Sequence, residues 1–79
     1  MAMKDWKKSK VNANRGELYS WYNKKLRMYV TVFYSHDEYP YLVSYEIVNK
    51  KGTIEEDWDA RYGNKLAAIK AARAYMRKH

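Results

Sequence analysis

Cysteine is absent from this chain, so neither a disulfide nor a thiolate-bound zinc can reinforce the fold. Apolar runs are short as well. None approaches the ~20 residues that a membrane-spanning helix needs, and the charged opening segment, with no apolar block after it, does not read as a secretory signal. The expectation is a cytoplasmic protein with no membrane partner. Histidine is confined to His36 and His79, and there is no Gly-rich phosphate loop and no thiol nucleophile. His36, Asp37 and Glu38 are consecutive in a loop, where neighbouring side chains diverge. Glu55, Asp57 and Asp59 share one strand face at a spacing a divalent ion could bridge, but a charged edge strand that resists aggregation is the simpler reading. The chain is therefore expected not to be an enzyme and to carry neither metal nor cofactor.

What is present is a large share of rings and cations. Thirteen aromatic residues, nine of them tyrosine, sit in 79 residues with a formal net charge of +7. A domain of this size buries only about 60% of its unfolded surface, so Trp6, Trp21, Trp58, Phe33 and several tyrosines must build much of the core. The cations gather at the chain ends: Lys4, Lys7, Lys8, Lys10 and Arg15 in the first sixteen residues, and Lys65, Lys70, Arg73, Arg77 and Lys78 in the last sixteen. Between them lies an acidic strip, Glu55, Glu56, Asp57 and Asp59. Basic ends are the footprint of a polyanion binder, although they also serve solubility.

Residues 1–16 have no period and read as a basic mobile arm closed by Gly16; residues 17–79 read as a single domain. Glu17 to Tyr22 and Leu26 to Ser35 form a β-hairpin across the polar break Asn23-Lys24-Lys25. Tyr41 to Asn49 is a third strand. After the Asn49–Gly52 turn, Thr53 to Trp58 is a short fourth. Asn64 caps a breaker-free, Ala-rich helix over Lys65 to Lys78. The predicted fold is α+β: an antiparallel sheet of three to four strands with one C-terminal helix packed on one face.

On that helix Ala68, Ile69, Ala72, Tyr75 and Met76 share one arc, which packs on the sheet. Lys70, Arg73 and Arg77 form a basic stripe, and Ala67, Ala71 and Ala74 form a small-residue arc. A solvated face near the helix C-terminus accounts for the stripe without any ligand. The helix covers Met28, Val30 and Val32, so Arg27, Tyr29, Thr31 and Phe33 fall on the open face. Rings left on an open face mark an interface.

The leading expectation is a non-catalytic nucleic-acid-binding module, for single-stranded or duplex ligand. Tyr29 and Phe33 would stack on bases; Lys24, Lys25 and Arg27 at the hairpin, a second track of Lys70, Arg73 and Arg77, and the arm lysines Lys7, Lys8 and Lys10 would contact phosphate. The competing expectation is a small phage or mobile-element protein that binds and inhibits a host protein, docking the same aromatic and basic surface on an acidic partner. Homodimerisation through an edge strand or the alanine arc is a further option.

Overall fold

The computed structural model describes residues 5–79. Alternating apolar residues and short polar turns fold them into an antiparallel meander. It comprises β1 (Trp6–Lys8), β2 (Glu17–Asn23), β3 (Met28–Tyr34), β4 (Tyr41–Val48) and β5 (Ile54–Tyr62), followed by α1 (Lys65–Lys78). The strands lie in the order β1-β2-β3-β4-β5, and every adjacent pair is antiparallel. The α+β class and the C-terminal helix are as expected, but the sheet has five strands rather than three to four.

The fifth strand comes from the segment read as an arm, of which residues 1–4 lie outside the described residues. Trp6 pairs with Asn23, Lys7 with Tyr22 and Lys8 with Trp21, and the Ser9 N–H donates to the Ser20 carbonyl at 2.8 Å. Trp6 is buried in the core cluster. A buried indole of ~200 Å² at about 25 cal/mol per Å² roughly offsets the ordering of three residues, so the added ladder bonds tip the balance towards a strand.

Turn chemistry sets the register. Gly16 takes φ 81°, and its carbonyl accepts the Tyr34 N–H at 2.8 Å. A Cβ on Gly16 would stand 2.6 Å from the Tyr34 carbonyl oxygen, so only glycine permits this approach. Asn49 Oδ1 accepts the N–H groups of both Lys51 and Thr53, and Gly52 supplies φ 84°. Asn23, itself buried, accepts the Leu26 N–H in the β2–β3 turn. Leu26 and Arg27 therefore belong to that turn and not to β3. Arg27 adopts φ 51°, and its carbonyl accepts the Val48 N–H at 2.8 Å. The pleat of β3 therefore does not aim the Arg27 side chain, which corrects the expectation that it shares the open face with Tyr29.

The cross-strand rows define the two faces. Trp21, Val30, Tyr45 and Trp58 form one row beneath the helix; Tyr19, Val32, Val43 and Ala60 form the next. The helix lowers Ala68, Ala72 and Met76 onto this face, all fully buried. Asn64 caps the helix by accepting the Ala67 N–H at 2.8 Å. Leu66, at the margin of the packing arc, is 65% exposed.

Candidate functional site

An α-helix is about 10 Å wide, while five strands at ~4.8 Å spacing span roughly twice that. One helix therefore cannot roof its own face of the sheet. It lies on β3, β4 and β5, where Tyr75 packs within 4.8 Å of Tyr45 and 6.2 Å of Trp58. The β1–β2 flank of the same face is left as a groove beside the helix.

That groove has a volume of about 380 Å³ and is lined by Lys8, Tyr19, Trp21, Ile69, Arg73 and Arg77. Helical spacing of four aligns Ile69, Arg73 and Arg77 along the wall facing β1. Alternation in β1 turns Lys8 to this face and Lys7 to the other. The floor is aromatic: Tyr19 and Trp21 stack with centroids 6.0 Å apart, Trp21 almost wholly buried and Tyr19 half-buried. Lys65 Nζ stands 5.4 Å from the Tyr19 ring centroid, a further cation at the rim. Among the described residues no carboxylate lines this groove. A shallower hollow of about 200 Å³ shares Lys8, Tyr19 and Trp21 and continues past Ser9, Val11 and Leu18.

On the opposite face, a cleft of about 620 Å³ at the same edge is lined by Asp5, Lys7, Tyr22, Lys24 and Lys25. The β2–β3 turn brings Lys24 and Lys25 back beside β1. Lys25 pairs with Asp5 at 3.6 Å, an exposed contact of small energetic weight. Tyr22 packs on Tyr29 with centroids 4.5 Å apart.

Seven of the eleven residues singled out from sequence thus meet at or beside one edge: Lys7, Lys8, Lys24, Lys25, Arg73 and Arg77 line the clefts, and Tyr29 backs Tyr22. Lys10, Arg27 and Lys70 are exposed outside both clefts. Phe33 lies on the face away from the helix, between Glu17 and Leu42.

The open face has a different character from the one the alternation suggested. Tyr29 and Phe33 do face away from the helix, yet both are half-buried among their neighbours. The row through Tyr22 and Tyr29 continues into Glu46 and Asp57. The row through Ser20, Thr31 and Ser44 ends at Asp59, with the buried Ser20 and Thr31 hydroxyls 3.0 Å apart. Glu46 thus stands beside Tyr29 and Glu17 beside Phe33, with Asp57 and Asp59 one strand further out, and like charge in water costs about 1 kcal/mol for a phosphate at ~4 Å.

Sequence reasoning missed Tyr19, Trp21, Tyr22 and Lys65. Once β2 pairs with β3, Tyr19 falls opposite Val32 and Trp21 opposite Val30, a register that puts both rings on the helix side. Near β5, burial pushes the Tyr45 phenol up to about 12, with Tyr62 and Tyr75 adding to the effect. Burial, then Glu56, raises Tyr75. Neither phenol is poised for acid–base work near neutrality. Among the described residues no cluster of three or more His, Asp or Glu side chains could hold a metal ion, and no helix is long and apolar enough to cross a membrane. Comparison with protein-family models, curated proteins and solved structures finds no match to this chain.

Proposed function

We propose that this protein is a non-catalytic nucleic-acid-binding module whose contact surface is the β1 edge rather than the open sheet face. The observation that carries this reading is the meeting of Lys8, Arg73 and Arg77 over a Tyr19–Trp21 floor, with no carboxylate among the described residues that line the groove. Arginine at two successive helical turns suits bidentate phosphate contact, and Lys8 adds a point charge from the sheet side. Lys7, Lys24 and Lys25 offer phosphate contacts around the other side of the same edge. Because Trp21 is buried and Tyr19 half-covered, backbone phosphates dominate binding and base stacking is secondary. The module would therefore bind with little sequence preference.

The test is an anisotropy titration with a labelled oligo-dT and a labelled duplex across a salt series. For five or so neutralised phosphates the expected log–log slope of affinity against salt is about −4 to −5 on the duplex and about −3 to −4 on oligo-dT. If neither probe binds more tightly than ~10⁻⁵ M at low salt, where non-specific binders of this charge do, the reading fails.

A further inference from the structure

We propose that the free edge of β5 is a pairing site for an extended basic segment of another protein. This rests on a surface remote from the β1 clefts and does not depend on the nucleic-acid reading. β5 is the longest strand, nine residues, and among the described residues it pairs only on its β4 side. Alternate residues of an edge strand direct their N–H and C=O groups outward, so β5 offers a row of unpaired backbone groups. The ladder with β4 shifts register at Ile47/Val48, which leaves Glu56–Tyr62 as the regular stretch.

Charge selects the occupant. Among the described residues, Glu55, Glu56, Asp57 and Asp59 form no ion pair, while Arg61, the cation of the strand, is held by Asp37 at 3.1 Å and by Ser35. A second copy is disfavoured, because antiparallel β5–β5 pairing about Asp57 opposes Asp57 to itself and Glu55 to Asp59. A nucleic acid is repelled by the same carboxylates. A basic strand meets opposite charge at Asp57, Asp59 and Glu56. It also meets apolar surface at Trp58, which is 39% exposed with its ring stacked on Tyr45 at 5.4 Å. Facing Ala60, Asp59, Trp58, Asp57 and Glu56 in turn, the complementary antiparallel segment reads apolar, basic, apolar, basic, basic.

A capped peptide Thr-Val-Lys-Val-Lys-Lys-Thr is the probe, followed by amide chemical shifts of the whole protein. Saturable shifts centred on Glu56–Tyr62 are expected. Replacing the peptide lysine that faces Asp57 by N-methyl-lysine, which keeps its charge but removes a backbone donor aimed at β5, should weaken binding about tenfold. The double variant Asp57→Lys with Asp59→Lys, exposed positions that leave the core untouched, should lose the lysine peptide by a similar factor and bind its glutamate counterpart instead. Absence of β5 shifts up to ~1 mM peptide overturns the proposal, as does equal binding of the N-methylated peptide, which would mean diffuse charge attraction. A concentration-dependent dimer in sedimentation that masks the β5 amides would overturn it in favour of self-pairing.

Discussion

The two edges of this sheet are built from the same backbone and carry opposite chemistry. The β1 edge is three residues long, with Lys7 and Lys8 on opposite faces, and it borrows Lys24 and Lys25 from a turn and Arg73 and Arg77 from the helix. The β5 edge is nine residues long and holds Glu55, Glu56, Asp57 and Asp59 within its own strand. Positive charge is thus assembled from three separate stretches of chain, and negative charge from one. A net charge of +7 spread evenly would make every face weakly attractive to phosphate. Its separation across a single sheet makes one edge attractive to polyanions and the other repulsive, so the proposed ligand would meet the β1 edge.

The contrast breaks most sharply if the groove loses its cations. The triple variant Lys8→Ala, Arg73→Ala, Arg77→Ala should weaken oligonucleotide binding about a thousandfold at low salt and flatten the salt slope by about 3, one per lost phosphate contact. Asp57→Asn with Asp59→Asn should strengthen the same binding only slightly. If the two sets of changes affect anisotropy equally, the edges do not differ as described.

The next largest effect concerns how the β1–β2 flank is joined to the sheet. Gly16→Ala puts a methyl group against the Tyr34 carbonyl at a positive φ and should cost about 2–3 kcal/mol in urea unfolding. A cost well below 1 kcal/mol would show that this junction yields, and with it the geometry of the basic edge. On the acidic side, Tyr45 beneath Trp58 adds a pH signature. Below pH ~10 both folded and unfolded chains keep the phenol proton and the stability is intact. Between about 10 and the folded value of about 12 the unfolded chain ionises first, so stability falls by roughly 2–3 kcal/mol. Tyr45→Phe should shrink this decline in denaturant midpoints measured from pH 9 to 12, leaving the part that the raised Tyr75 phenol contributes.

The smallest effect refines the basic edge. Asn64→Ala removes the helix cap and should cost about 1 kcal/mol by thermal unfolding, with Arg73 and Arg77 still presented and affinity within twofold. A large loss of binding would mean that the groove depends on the first turn of the helix, where Lys65 stands over Tyr19.

How much of this was legible in the sequence differs from element to element. The helix was: Asn64 caps it, and Ala68, Ala72 and Met76 at helical spacing are the residues it buries. β3, β4 and the Asn49–Gly52 turn were legible from alternation and from glycine's access to positive φ. β1 was not, because three residues containing two lysines show no period until Trp6 has a core to enter. The reach of β5 to Tyr62 was also hidden, since Asp59 and Arg61 alternate with Ala60 in a way that reads as connector. Of the site, the cations Arg73, Arg77, Lys8, Lys24 and Lys25 could be named in advance, but not their meeting.

Local sequence determined the order of elements, the helix and its buried stripe, the turn glycines and the overall excess of positive charge. Each of these depends on backbone preference and period within a few neighbouring residues. Tertiary structure alone decided that the basic residues share an edge, that Tyr29 and Phe33 lie among carboxylates, and that Tyr19 and Trp21 floor a groove. Those outcomes follow from cross-strand register and from the width of one helix set against five strands, quantities that no single stretch of the chain contains.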